Sequence, residues 1–415
     1  MELKAKYQYS YFIYPYVVKE DRYDKYMLKL IRNKKCNIRF FEKEKDFDIY
    51  SYFLPTLREY LFPTFEYSKL KIRKFQELDF KMQAAILSKY PCTVFEYDLK
   101  QDIQGKTGQR NGIFFKIQKI ELICFQTGIC FLAIKTNIEE SNKFSDVLDF
   151  NYKFRDIHSE FKALKEFENI KIQTDIFQNS KQLSEVIKEL TGSAVDTKKI
   201  DIDTDRFLTY AYTCIDQEEW NDKKSFENVE NEFLKYANVL PSSYNSNFER
   251  ENIKEDLKII SKWKYRRWGF TRLGSTLLAS GIDMENYTKL PFAYENEYFY
   301  TYILALYQRI YLKKLMVEFK KSKKKEQMRK EFIKFTKELY LQDITDNDTG
   351  GLMYQRWKEV LEINELYLTV KEQYEVLYKE LDIEKDKKVN KFILVVLAIS
   401  LLLNIWNFIL LFGNS

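Results

Sequence analysis

Asp201, Asp203 and Asp205 alternate with Ile202 and Thr204, so in an extended segment their carboxylates share one face and can jointly hold a hard cation. The same residues, preceded by Lys198 and Lys199, also suit a solvated strand end, and that plainer use is the preferred one. Asp346-Asn347-Asp348-Thr349-Gly350 has the composition of a calcium loop, but its twelfth position is Trp357, where a bidentate glutamate is needed. It reads instead as a turn and N-cap between two helices. Gly105-Lys106-Thr107 matches the end of a phosphate-binding loop whose first glycine would fall on Lys100, so a hairpin loop is the better reading. His158 is the single histidine, and zinc centres and hydrolytic triads draw on that residue type. The sequence shows no nucleophile elbow or dinucleotide fingerprint; no catalytic residue and no cofactor are expected, and the chain is read as a non-enzyme.

The strongest signal lies at the end of the sequence. Phe392 to Phe412 carries no charge and no proline, and sixteen of its residues are Leu, Ile, Val or Phe. A helix through it rises about 31 Å, against roughly 30 Å of bilayer hydrocarbon. Residues 391–412 are therefore expected to form one transmembrane helix. Lys385, Lys387, Lys388 and Lys391 precede it, and Gly413, Asn414 and Ser415 follow. The positive-inside rule then leaves the N-terminal part in the cytoplasm of a single-pass protein of the cell membrane, with 413–415 as an outer tail. The first twenty residues hold charges and no continuous apolar run, unlike a secretory signal. Ser400, Asn404 and Asn407 are spaced by four and three residues, which places them on one helical face. Polar groups in hydrocarbon turn toward a partner helix or a wet cavity, so this face is expected to be a homo-oligomer contact or a pore wall.

The remaining length suffices for one large or two average domains. Tyr and Phe are abundant while Gly and Pro number only 11 and 6, a composition of long regular elements rather than disorder. The net charge of +6 is small for 415 residues, which gives no case for nucleic acid and a mild one for an anionic lipid surface. The run Lys320–Lys325 suits a solvated helix end, or lipid if it folds back. Five cysteines without CxxC spacing read as buried, reduced thiols.

Periodicity predicts strands at Tyr9–Val18, Asn37–Phe41, Cys92–Tyr97, Ile113–Phe125, Ile129–Ile138, Arg206–Cys214 and Phe270–Ala279. A tight turn at Gly128 joins the fourth and fifth, and Ile129–Ile138, apolar on both faces, belongs inside the sheet. Helices are predicted at Phe47–Tyr67, Leu70–Lys89, Phe144–Arg155, Ser180–Thr191, Trp220–Leu240, Glu251–Lys262, Glu297–Lys320 and Glu326–Tyr340, with a long one from about Leu352 into the membrane. The fold class is α+β: a mixed α/β cytoplasmic domain over 1–290, a helical stalk over 291–390, then the membrane helix. In the stalk, Val360, Ile363, Tyr367, Val370, Tyr374, Leu377 and Leu381 keep a heptad spacing. This fits a seam within an antiparallel bundle, with a coiled coil between copies as the alternative.

Several short segments together resemble bacterial proteins called CorA-like, after the magnesium transporters. They are Phe125-Gln126-Thr127-Gly128-Ile129-Cys130-Phe131-Leu132, Asp149-Phe150-Asn151 with Arg155, Trp268-Gly269-Phe270-Thr271-Arg272, Ala305-Leu306-Tyr307-Gln308-Arg309, and Gly350-Gly351-Leu352-Met353-Tyr354-Gln355-Arg356-Trp357. The resemblance implies an α/β cytoplasmic domain, a helical stalk, a C-terminal membrane helix, homo-oligomeric assembly and transport of a divalent cation such as magnesium. The transporters' Gly-Met-Asn signature and second membrane helix have no counterpart in this sequence, which reads Phe412-Gly413-Asn414-Ser415. The competing expectation is a membrane-tethered sensor or interaction protein, a stress or defence component whose cytoplasmic partner the sequence does not name.

Overall fold

The computed structural model describes residues 2–99, 103–107, 112–139, 141–157, 171–173, 181–192, 206–244, 254, 256–321 and 325–412. Its centre is a mixed sheet of twelve strands. These are β1 (Ala5–Val17), β2 (Cys36–Ile38), β3 (Cys92–Tyr97), β4 (Ile103–Lys106), β5 (Phe114–Phe125), β6 (Ile129–Asn137), β7 (Lys171–Gln173), β8 (Lys181–Gln182), β9 (Leu208–Ile215), β10 (Lys258–Ile260), β11 (Arg266–Thr271) and β12 (Gly274–Ser280). The order is β10-β11-β12-β9-β1-β6-β5-β4-β7-β8, with β3 on β5 and β2 on β3. Pairing is antiparallel except between β9 and β12.

The alternation along β1 explains why helices cover both faces. Tyr9, Tyr11 and Ile13 enter one core, while Phe12 and Tyr16 enter the other, as the period of two requires. The second face is covered by α1 (Tyr23–Arg32), α4 (Lys69–Gln76), α5 (Phe80–Leu87), α6 (Phe144–Arg155), α7 (Leu183–Thr191) and α8 (Glu230–Ala237). The first face is covered by α2 (Phe47–Tyr52), α3 (Pro55–Leu61), α9 (Leu290–Ala293), α10 (Phe299–Lys321), α11 (Lys325–Glu338), α12 (Asp348–Val360) and the start of α13 (Ile363–Phe412). One continuous hydrophobic cluster runs from Tyr9 in β1 to Val370 in α13. The helices after residue 290 thus share the sheet's core before the last of them leaves it.

The hairpin at Gly128 forms as its sequence requires. Gly128 has φ +81°, and a Cβ there would lie 2.1 Å from the Val18 carbonyl oxygen. Strand β6 lies between β1 and β5, and its apolar residues are buried on both faces.

Other boundaries differ from the sequence reading, each for a local reason. The helix expected over Phe47–Tyr67 is broken by Pro55 and Pro63, which start new turns because proline suits only the first turn of a helix. Leu70–Lys89 divides where the Asp79 side chain accepts from the Lys81 and Met82 amides. Trp220–Leu240 is α-helical only over α8, with a short 3-10 turn at Phe226–Asn228 before it. Upstream, Asn221 folds its side chain onto the Gln217 carbonyl at 2.5 Å, and such local bonds compete with a helix. Within Glu251–Lys262 the segment Lys258–Ile260 is a strand, because it adds to the edge of β11. Phe270–Ala279 is not one strand: β11 and β12 form a hairpin turning at Arg272-Leu273, with Thr271 paired to Gly274. Gly105 and Lys106 are part of β4 rather than a loop. The five cysteines are buried and unpaired.

Candidate functional site: the long helix and its root

Helix α13 is 50 residues long, about 75 Å at 1.5 Å per residue. Its first turns are held by aromatic packing. Ile363 and Val370 are fully buried and Leu377 nearly so. Tyr367 stacks on Tyr340 of the chain after α11 at 3.7 Å, Phe332 lies 4.9 Å from Tyr374, and the Arg329 guanidinium sits 4.6 Å above Tyr378. The heptad seam is therefore used within the chain, against α10 and α11. Val360 belongs to the preceding helix, because Glu362 adopts φ +54° and separates α12 from α13.

That break is the root of the helix, and two arginines close it. Arg272, from the β11–β12 turn, pairs with the Glu362 carboxylate, and Arg309 of α10 donates to the Leu361 carbonyl at 3.0 Å. Tyr340 donates to Asn364 at 3.1 Å. Burial, with Arg272 nearby, lowers the pKa of Arg309. Trp357 lies between Phe270 at 5.6 Å and Tyr302 at 5.5 Å.

The segments that carry the resemblance meet at this junction or support the sheet beneath it. Phe125 stacks on Tyr307 at 3.7 Å. Gln308 donates to the Leu339 carbonyl at 2.6 Å and to the Tyr354 hydroxyl at 2.8 Å. Gly350 allows α12 to start against Tyr52, whose hydroxyl would lie 2.2 Å from a Cβ, and the Asn347 side chain accepts the Gly350 amide, the N-cap expected there. On the other face Asp149 accepts from the Ser242 amide and hydroxyl, and Asn151 accepts from Ser10. Trp268 is buried in β11, so this motif's tryptophan packs inside the domain.

Beyond Leu377 the described side chains of α13 are mostly exposed. Phe392 is 70 % exposed and Leu402 65 %. Ser400 is exposed on this helix, and Asn404 and Asn407 continue its backbone on the same face by spacing; their side chains lie outside what is described. Within the apolar segment, side chains are described from Phe392 to Leu403 and at Trp406. Among the described residues no helix is long and apolar enough to cross a membrane. Asp201, Asp203, Asp205 and His158 lie outside the described residues, and among those described no group of three or more His, Cys, Asp or Glu is placed to hold a metal ion.

Two features here were invisible to sequence reasoning. A π-helical turn, Tyr294–Tyr298, joins α9 to α10, and such turns recur at functional sites. Glu295 on it accepts from Lys135 at 2.6 Å and Tyr11 at 2.9 Å. Glu297 on the same turn is half-buried, and burial, aided by Asp48, pushes its carboxyl up to about 7. A second buried charge, Glu121, is held by Lys119 at 3.0 Å and the Tyr300 hydroxyl at 3.1 Å. The only sequence signal for these carboxylates was their place in otherwise apolar stretches.

No family model, no curated protein and no solved structure matches this chain.

Proposed function

We propose that this is a single-span protein of the cell membrane, with its α+β domain in the cytoplasm, the helices after residue 290 packed on that domain's sheet, and α13 beyond Leu377 as the stalk. Residues 391–412 form the transmembrane helix, and copies assemble through the face of Ser400, Asn404 and Asn407. On the CorA-like plan the assembly passes a divalent cation, magnesium first, and performs no catalytic step. The observation that carries the reading is the apolar end of α13. Leu, Ile, Val and Phe side chains from Phe392 to Leu403 stand exposed around the whole helix, directly after four lysines. Water does not tolerate a contiguous surface of that kind, whereas hydrocarbon does.

A second reading, a membrane-tethered sensor or interaction protein without transport, is favoured by a different observation. The described motif residues detailed above are engaged in packing or internal hydrogen bonds at the helix root and the sheet, so what the motifs support is a scaffold. Growth rescue of a magnesium-transport-deficient cell separates the two. Rescue in low magnesium by the intact chain, lost on Asn404→Leu, supports transport; expression in the membrane without rescue supports the tethered sensor.

A further inference from the structure

Two short helices leave apolar and basic side chains together on the surface. Phe75 anchors α4, and Ala84 and Leu87 anchor α5, in the core on the second face of the sheet. Their outer sides carry Leu70, Phe80 and Met82, which are 62 %, 52 % and 56 % exposed. Among these stand Lys69, Lys71, Arg73, Lys74, Lys81 and Lys89, all exposed. Among the described residues none of the six cations has an ion pair, and Lys71 lies 4.1 Å above the Tyr67 ring.

Residues 66–90 hold those six cations and three carboxylates, Glu66, Glu77 and Asp79, so this stretch carries +3 of the chain's net charge of +6. Asp79 is engaged in accepting the Lys81 and Met82 amides. Single exposed apolar residues are ordinary, but three of them interleaved with six such cations make an amphipathic surface. A nucleic acid is met by cations and flat aromatic faces on which bases stack. Leucine and methionine instead suit acyl chains, and the flanking Lys and Arg suit lipid phosphates.

The place of this surface in the fold fits the same occupant. α11 runs antiparallel to α10, with Leu339 against Gln308 and Phe335 against Tyr311, and α13 runs antiparallel to α11, with Tyr374 against Phe332 and Tyr378 against Arg329. α13 therefore leaves the domain in the direction of α10, toward the β5–β6 turn, where Lys314 donates to the Thr127 carbonyl at 3.0 Å. α4 starts at that same end. Tyr67, just before it, is 6.1 Å from Tyr90, and the Pro91 carbonyl accepts the Gln126 amide at 3.0 Å.

We propose that the α4–α5 surface docks on an anionic bilayer, with Leu70, Phe80 and Met82 entering the headgroup region and the six cations on lipid phosphates. The proposal rests on the membrane reading above, because the bilayer is the one that α13 would enter. α13 rises about 22 Å between Leu377 and Phe392, so the contact requires it to lean from the membrane normal, as spanning helices do.

The test uses the full-length protein in lipid nanodiscs, with Leu70→Cys carrying an environment-sensitive fluorophore; the five native cysteines are buried. In discs containing phosphatidylglycerol its emission should shift to the blue and be quenched by a spin-labelled lipid, and in phosphatidylcholine discs it should do neither. Lys71→Glu combined with Lys74→Glu should remove most of the shift, as should salt at about 1 M, where the Debye length is about 3 Å. Both lysines are exposed, so an unchanged thermal midpoint is expected. A probe at Phe292→Cys, in α9 on the other face, should stay silent in both discs. No shift in anionic discs, an equal shift in neutral ones, or an undiminished shift in the double variant would overturn the proposal. So would a shift produced by an RNA oligonucleotide in detergent and not by anionic discs, which would make this a nucleic-acid surface. The span is read separately, by whether alkaline carbonate strips the chain from membranes. A stripped chain lacks the span, and the labelled protein is then offered phosphatidylglycerol and phosphatidylcholine vesicles, with the same outcomes deciding the surface.

Discussion

Glu297 is a carboxyl whose titration is moved into the neutral range. Its carboxyl is held up to about 7 by burial and by Asp48, against an ordinary value of 4.5. The folded state therefore binds a proton more tightly than the unfolded chain. The associated stabilisation is complete below about pH 4.5, is lost as the pH rises toward 7, and stays lost above. Glu297→Gln keeps the neutral form at every pH, so it should stabilise the protein near pH 8 by about 1–3 kcal/mol and leave it unchanged near pH 4. Denaturant titrations at the two pH values check this; equal effects at both would show that the carboxyl is not raised. Gly128 is the other decisive single position. Gly128→Ala forces a Cβ against the Val18 carbonyl oxygen at φ +81°, and a loss of about 2 kcal/mol or more is expected.

At the scale of elements, the hairpin β5–β6, the strand β1 and the helix α6 were legible because each repeats one signal along its length. β1 alternates between two apolar faces, and α6 spans exactly Phe144–Arg155 as periodicity predicted. The short pieces were not legible, because tertiary pairing decides them. Lys258–Ile260 is a strand only because β11 has a free edge, and the break at Glu362 has no glycine to announce it. The heptad seam was readable as a seam, and its partner is supplied by α10 and α11. Tyr367 holds α13 to α11 and to the chain just after it, 5.7 Å from Phe332 and stacked on Tyr340. Tyr367→Ala should therefore loosen the first turns of α13 while leaving the sheet intact. Hydrogen exchange should accelerate over about residues 363–377 and stay slow in β1 and β6; acceleration in both would mean that α13 supports the sheet as a whole.

For the whole molecule, the proposed membrane helix and its polar face rest on composition and spacing alone, through hydrocarbon thickness for the length and helical geometry for the face. The candidate aspartates were readable only as a pattern. If Ser400, Asn404 and Asn407 face a partner copy, single cysteines at 400, 404 and 407 should cross-link between chains, whereas those at 402 and 409 should not. The five native cysteines are buried, so they add little background. Equal cross-linking at all five engineered positions would remove the assigned face.

The most direct test of the account is protease protection of the membrane-bound chain. Protease added to intact cells should leave residues 1–390 uncut, and after the membrane is opened the same protease should digest them. A chain cut before Lys388 should meanwhile appear in the soluble fraction. Cleavage of the large domain from outside intact cells, or a full-length chain recovered as soluble protein, would contradict a cytoplasmic domain carried on a single C-terminal span.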